Sequence, residues 1–353
     1  MMKTVSDLAG AGPGKAAFVA VAGRPSVGKS TLVNRICGAK VAIVSAVPQT
    51  TRNAIRGILN RPEGQLVFVD TPGRHASERK FNKKLLEVSN RSLAEADLRL
   101  YVLDALRPPG PEEEDAARAL GGMTATLVAA VNKTDAPGAD PARAAAFLAE
   151  RLPALPPERI FPVSALNGGG VEALVSCLFG MATAGEPFYP PEYYTDQETA
   201  FRISEIIRGE AINRLRQELP HALYVEVADM ELKKANSGTG AGPGLEPPAP
   251  GPPELAPAVP ETTEPGTLEP AAPETPKPAG RERLWVRAFI VVERESQKGM
   301  VVGKGGAMIR AIRLAALKEL DRIFDWKIDL DLRVKTGKDW RHNDVLLRRI
   351  TGG

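Results

Sequence analysis

The segment GRPSVGKST at residues 23–31 decides how the first half of the chain folds. Gly23 and Gly28 bracket Arg24, Pro25, Ser26 and Val27, and Lys29, Ser30 and Thr31 follow. Glycines at this spacing let successive backbone N–H groups turn inward around a polyphosphate, and the helix that starts there points the positive end of its dipole at the same place. The pattern predicts Lys29 on the β- and γ-phosphates and the Ser30 hydroxyl on Mg²⁺. The required context is present. The apolar run AFVAV at 17–21 reads as a buried strand, and TLVNRI at 31–36 has the apolar spacing of a helix.

Outward from this loop, residues 16–182 alternate short apolar runs with helical patterns. Strands are predicted at 17–22, 55–60, 65–70, 98–104, 125–131 and 159–163, with helices between most of them. That alternation implies an α/β fold with a mostly parallel sheet covered on both faces. The second and third strands are separated only by RPEG at 61–64, so one antiparallel edge strand is expected.

Three more motifs fall at strand ends in this region. Asp70, Thr71, Pro72 and Gly73 close the apolar run at 66–69. An acid there is placed to hold Mg²⁺, and the Gly73 N–H to meet a γ-phosphate. Asn132, Lys133, Thr134 and Asp135 follow the next apolar strand. A carboxylate at Asp135 can accept from the ring N–H and the exocyclic amine of guanine. Adenine offers no such donor pair and would leave the carboxylate unpaired. Lys133 is expected across the base, and Asn132 to brace the loops. Ser164, Ala165 and Leu166 follow the last strand, where a small residue lets a backbone N–H reach the guanine carbonyl. Between the phosphate loop and Asp70 lie Gln49, Thr50, Thr51 and Arg52, a loop that a triphosphate would order. Thr51 is the favoured Mg²⁺ ligand there, with Thr50 a near equal. In this order the motifs specify a GTPase rather than an ATPase.

The second half reads differently. Residues 199–219 form an amphipathic helix candidate, and 223–227 a strand. Residues 236–280 hold thirteen prolines, six glutamates and no aromatic residue, a composition that cannot offset its ordering entropy, so disorder is expected. Ordered sequence resumes with a strand at 284–292. The Pro-rich stretch is read as a long loop between two strands of one domain rather than as a linker, because a lone helix and strand could not build a core. Next comes VVGKGGAMI at 301–309, a Gly-x-x-Gly turn between two helices. Glycine lets a nucleic-acid backbone approach closely, and Lys304 adds charge. This is the clamp by which KH domains hold about four unpaired nucleotides. Gly303, Lys304, Gly305, Gly306, Ile309 and Arg310 are the RNA-binding candidates. A helix over 307–320 and an alternating strand over 327–335 complete the pattern.

Composition excludes other classes. The 353 residues suffice for two cores, and the net charge is +3. From residue 281 onward 17 Lys and Arg face 10 Asp and Glu, a basic surplus that suits a polyanionic partner. Cys37 and Cys177 lack metal-ligand spacing, and His75, His221 and His342 are scattered. Reduced thiols in a cytoplasmic protein are expected. Neither a signal peptide nor a spanning helix is read from the sequence.

The chain resembles the Era family of bacterial GTPases. The resemblance is carried by GRPSVGKST at 23–31, PQTTR at 48–52, DTPG at 70–73, NKTD at 132–135, SAL at 164–166, ERESQKGMVVGKGGAMI at 293–309 and DWRHNDVLLRRI at 339–350. It implies a P-loop GTPase domain at 16–185 after a flexible N-terminus at 1–15. A linker at 186–200 then leads to a smaller α+β KH domain of type II at 201–353, with 236–280 a disordered insertion inside it. It also implies GTP hydrolysis to GDP, with Mg²⁺ held by Ser30, Thr51 and Asp70. The implied partners are 16S rRNA near its 3′ end and the 30S subunit during assembly. A monomeric cytoplasmic chain with no DNA partner is expected, with some peripheral contact at the inner membrane. Ser26 stands where the family usually has an asparagine linked to potassium-assisted hydrolysis, which puts potassium dependence in question. Arg74 follows the DTPG motif where Ras-like proteins have a glutamine, so slow intrinsic hydrolysis is expected. Arg313 replaces the family's usual glycine in the second KH helix. The rival readings are an RNA-binding scaffold whose nucleotide site is structural and hardly turns over, and a tRNA-modifying or other translational GTPase, against which the KH clamp argues.

Overall fold

A computed structural model describes residues 14–45, 50–73, 80–216, 219–233, 282–338 and Trp340. Gln49, Arg74, the expected insertion at 236–280, most of the N-terminal segment and the motif after Trp340 lie outside the described residues.

The first half is a sheet with helices on both faces. Its elements are β1 (Lys15–Ala22), α1 (Lys29–Cys37), β2 (Ile55–Arg61), β3 (Gly64–Asp70), α2 (Lys80–Glu95), β4 (Leu98–Asp104), α3 (Pro111–Leu120), β5 (Leu127–Asn132), α4 (Pro141–Arg151), β6 (Ile160–Pro162), α5 (Val171–Met181) and β7 (Thr183–Ala184). Strand order is β2-β3-β1-β4-β5-β6. Every neighbouring pair on that path is parallel except β2 with β3, the expected hairpin edge. β7 pairs antiparallel with Lys15 and Ala16, just before β4 takes that flank of β1 at Val19.

Side chains alternate across a strand, so β1 feeds two cores. Ala17, Val19 and Val21 pack with Leu32 and Ile36 of α1 and Leu174 and Leu178 of α5. Ala20 and Ala22 face Leu93 of α2, Leu120 of α3 and Leu148 of α4. The central strands are apolar on both faces, as parallel sheets require.

The second half comprises α6 (Thr199–Arg214), α7 (Leu219–Ala222), β8 (Leu223–Lys233), β9 (Arg283–Val292), α8 (Glu295–Val302), α9 (Ala307–Ile323) and β10 (Lys327–Thr336). Strand order is β10-β9-β8, with β8 antiparallel and β10 parallel to β9. The strands on either side of the Pro-rich stretch are thus direct neighbours, from Leu223 opposite Val292 to Lys233 opposite Arg283. Leu284, Val286, Ala288 and Ile290 of β9 pack against Ile203 and Ile207 of α6, Val301 of α8 and Ile312 and Leu320 of α9.

The structure ends α6 earlier than the sequence pattern does. Leu215 is extended, with ψ of 156°, yet still buried, so the apolar spacing runs past the last helical residue. Pro220 then falls in the first turn of α7, where its missing N–H costs nothing. Among the described residues no helix is long and apolar enough to cross a membrane.

Candidate nucleotide site and nucleic-acid clamp

The phosphate loop joins β1 to α1, and its backbone needs glycine. Gly23 has φ of 144°, and a Cβ there would lie 2.4 Å from the Val102 carbonyl oxygen. Gly28 caps α1 with φ of 96°, and a Cβ there would meet Asn132 Nδ2 at 2.4 Å. Ser26 sits exposed in the left-handed region at φ 64°, a conformation that costs a non-glycine residue on the order of 1–2 kcal/mol.

Lys29 is buried. Its Nζ donates to the carbonyls of Gly23 at 3.0 Å and Arg24 at 2.9 Å. Burial pushes its pKa down to about 8, against the pull of Asp70 and Glu112. Among the described residues the ammonium is held at the mouth of the loop by these two carbonyls, ready to exchange them for phosphate oxygens.

Three oxygen-bearing side chains converge beside it. Ser30 Oγ donates to Asp70 Oδ2 at 2.6 Å and lies 3.1 Å from Thr51 Oγ1, which itself is 3.4 Å from Asp70 Oδ2. Burial drives the Asp70 pKa upward, although Lys29, Ser30 and Thr51 oppose it. Asp70 Oδ1 is buried with no hydrogen-bond partner among the described residues. An unpaired buried carboxylate oxygen next to two hydroxyls is the donor set a hard cation takes, so the residues present fit Mg²⁺. Gly73 packs so closely on the phosphate loop that a Cβ would lie 2.8 Å from the Pro25 nitrogen. Thr71 anchors the turn through its hydroxyl to the Val21 carbonyl at 2.8 Å. Of the two threonines, Thr51 reaches the cluster with its hydroxyl. Thr50 lines the same small cavity, and its carbonyl is engaged elsewhere, as described below.

The motif after β5 ties three loops together. Asn132 Nδ2 donates to the Val27 carbonyl at 2.8 Å, and its Oδ1 accepts from the Ala165 N–H at 2.9 Å. Lys133, itself at φ 69°, reaches back to the Ser26 carbonyl at 2.8 Å. Asp135 is exposed at the rim, Ser164 and Ala165 are buried beneath it, and Leu166 projects into solvent. Arg35 of α1 holds the carbonyls of Ala165, at 3.2 Å, and Leu166.

Asp104 joins the site unannounced by any motif. It ends β4 and accepts from Lys133 Nζ at 2.8 Å and Arg24 at 3.4 Å, and Arg24 also pairs with Glu113 of α3. The signal it shares with Asp70 is an acid closing an apolar strand.

A second connection runs to the other half of the molecule. Arg208 of α6, only 2% exposed, donates to the Thr50 carbonyl at 2.6 Å and pairs with Glu205. Arg52 donates to the Leu223 carbonyl at 2.8 Å, and its guanidinium lies 5.6 Å from the centre of the Trp340 ring. Gly209 faces Ile43, where a Cβ would sit 3.2 Å away.

The Gly-x-x-Gly turn lies between α8 and α9. Gly303, Gly305 and Gly306 take φ of 73°, 58° and 78°. Gln297 caps the start of α8, accepting from the N–H groups of Glu293 at 3.0 Å and Arg294 at 2.9 Å. Lys304 and Arg310 are exposed, and Ile309 is half-buried between them and the core. The turn, Lys304 and Arg310 form an exposed strip at the start of α9, with Ile309 half-buried beside it.

The fold and the two sites define a P-loop GTP-binding domain joined to a KH domain. Residues 18–133 match the family of 50S ribosome-binding GTPases, and residues 272–341 match the KH domain family. Over 333 residues the chain is 41% identical to the GTPase Era of Treponema denticola, covering 94% of this chain and 98% of that one. It is 36% identical to the GTPase Era of Borreliella burgdorferi over 95% of this chain and 99% of that one. The chain belongs to the Era family of GTPases. Its structure is similar to that of an Era crystallised with MgGDPNP and nucleotides 1506–1542 of 16S ribosomal RNA, with a TM-score of 0.77 at 28% identity, covering 96% and 99% of the two chains. The same score, at 27% identity, relates it to a variant of Aquifex aeolicus Era bound to GDP·AlF4⁻.

Proposed function

We propose that the chain hydrolyses GTP to control how a KH clamp is presented to 16S rRNA near its 3′ end, and so assists assembly of the 30S subunit. The observation that carries the reading is a bifurcation at residues 50–52. The Thr51 hydroxyl lies in the cluster with Ser30 and Asp70, while the flanking Thr50 carbonyl and Arg52 guanidinium are bonded to α6 and β8. A loop gripped at both ends can pass the state of the γ-phosphate to the RNA-binding half.

In this reading Gly23 through Thr31 wrap the phosphates with backbone N–H groups, and Lys29 moves from carbonyls to the β- and γ-oxygens. Ser30, Thr51 and Asp70 would hold Mg²⁺, which when bound neutralises charge across those oxygens. Asp135 accepts from guanine, Lys133 lies along the base with its ammonium fixed by Asp104, and a backbone N–H of the loop at Ser164–Leu166 meets the guanine carbonyl oxygen. Gly303 to Gly306, Ile309 and Arg310 hold unpaired ribonucleotides. Ser26 in place of an asparagine exchanges an amide oxygen at the rim for a shorter-reaching hydroxyl, which puts potassium-assisted turnover in question. The setting is cytoplasmic, with the monomer meeting the inner membrane at most peripherally.

The experiment compares affinity for a 3′-terminal 16S rRNA fragment in the GDP and GTP-analogue states, beside single-turnover hydrolysis with and without that RNA. Tighter binding in one nucleotide state and faster turnover with RNA are expected. Equal affinities with negligible turnover would favour the scaffold reading.

A further inference from the structure

We propose that Arg313 makes one position of the RNA groove selective for a base with two adjacent hydrogen-bond acceptors, guanine or cytosine, against adenine and uracil. The inference rests on the reading of Gly303–Gly306 as a clamp for unpaired ribonucleotides.

Arg313 stands one helical turn beyond Ile309 and Arg310 on α9, so it continues the strip that begins at the clamp. It is partly exposed, and its Nε donates to the Leu330 carbonyl at 2.6 Å. Leu330 belongs to β10, which among the described residues pairs with β9 only, so this carbonyl lies on the sheet's free edge. Beside it opens a broad hollow of about 520 Å³ bounded by Trp285, Arg313 and residues 329–332.

The charges around the hollow isolate Arg313. Asp329 is taken by Arg283 at 3.1 Å, and Asp331 by Arg287 and Arg333 at 3.0 Å each. Arg313 itself forms no ion pair among the described residues, and its one hydrogen bond there uses Nε. A guanidinium is a planar fork of five donors, so fixing Nε to a backbone carbonyl fixes the direction of the remaining four. Arg313 itself lines the hollow, so the donors not spent on Leu330 are available to a ligand there.

The consequence is an inversion of polarity. A bare carbonyl at a strand edge accepts hydrogen bonds and would suit the amine of adenine. Arg313 occupies that acceptor and puts donors in its place. Guanine meets a fork with O6 and N7, and cytosine with O2 and N3. Adenine sets its amine beside each acceptor on its accessible edges, and uracil separates its two carbonyls with an N–H, so neither fills both prongs. Trp285 on β9 also borders the hollow, with Arg287 at 4.9 Å and Lys233 at 5.8 Å from its ring centre.

The test uses the full chain loaded with a non-hydrolysable GTP analogue and a pool of randomised single-stranded RNA decamers, with the bound fraction sequenced at fixed salt. One position should be enriched in guanine or cytosine over adenine and uracil by roughly tenfold. The identity of the enriched base distinguishes the two. Arg313→Gly should flatten that position and leave the others selective. Arg313→Lys, which keeps the charge and loses the fork, should flatten it as well. Independently of any variant, replacing the enriched base by one lacking a single acceptor should lower wild-type affinity to the level of adenine. For guanine this is 7-deazaguanine, and for cytosine 3-deazacytosine. The same base profile in wild type and Arg313→Gly, or no response to the acceptor deletion, would overturn the proposal. A wild-type chain that retains no RNA above background would overturn the clamp reading itself.

Discussion

Two glycine turns open helices in this molecule, and they are built for different kinds of ligand. The turn from Gly23 to Gly28 is enclosed. A methyl group at Gly23 would strike the Val102 carbonyl, one at Gly28 the Asn132 amide, and Lys29 between loop and helix is buried. The turn from Gly303 to Gly306 is open. A Cβ at Gly305 or Gly306 meets nothing within 4 Å, and only Gly303 is crowded, by Met308. Both turns use positive φ at a helix start, but the first is hemmed in by β4, β5 and the loop after β3, and the second only by its own backbone hydrogen bonds and the Met308 side chain of α9. A preorganised cage suits a small, highly charged ligand whose every oxygen needs a donor. An exposed hinge suits a polymer that must be laid down and lifted off.

That contrast is broken most forcefully at Gly23. Gly23→Ala adds a methyl 2.4 Å from a backbone carbonyl in a central strand, so either the loop or β4 must move. GTP affinity measured by calorimetry should fall by at least a hundredfold, with a stability loss on the order of 2–3 kcal/mol in denaturant titration. A variant that binds GTP normally would show that the cage is less rigid than the contacts imply.

The link between the two turns is the next target. Arg208 is buried, and its donation to Thr50 is a charge-assisted bond between α6 and the loop that reaches the Ser30 and Asp70 cluster. Arg208→Ala leaves the Thr50 carbonyl without that donor and should cost about 1.5–3 kcal/mol. More diagnostic is the coupling. RNA affinity should become the same in the GDP and GTP-analogue states, because the loop has lost one of its two attachments. A nucleotide-dependent difference that survives in this variant would assign the coupling to other contacts.

The enclosed site was far more legible in the sequence than the link. Strands that lead into Asp70, Asn132 and Ser164 announce themselves as apolar runs followed by polar motifs, and a parallel sheet brings all such ends to one edge. What no local pattern conveys is which side chain from one strand end meets which from the next. Asp104 therefore enters the site through its neighbours Lys133 and Arg24 rather than through a motif. Arg208 and Arg202 escaped for a related reason. Charged residues on an amphipathic helix read as its solvent face, yet both are buried because a second domain packs there. Arg202 is held by the Tyr194 hydroxyl and the Lys40 carbonyl. Docking of two cores is a long-range fact. The end of α6 was obscured the opposite way, since Leu215 stays in the core after the helix has stopped.

The smallest effect on stability is expected at the open turn. At Gly305, φ of 58° and ψ of 23° lie in the left-handed region, where alanine pays roughly 1–2 kcal/mol. Alanine also narrows the unfolded ensemble, which returns some of that cost, so Gly305→Ala should lose only about 1 kcal/mol. No neighbour must shift, and the first core, whose contacts do not include α8 or α9, should melt as before. The effect on RNA should be out of proportion to the effect on folding. The new methyl projects into the space through which a nucleic-acid backbone would approach, so affinity for a single-stranded ribonucleotide should drop by roughly tenfold while thermal unfolding barely moves. If affinity instead tracks stability, falling no further than the fold's own loss predicts, the turn is a hinge of the protein and not a seat for RNA, and the two glycine turns are more alike than their surroundings suggest.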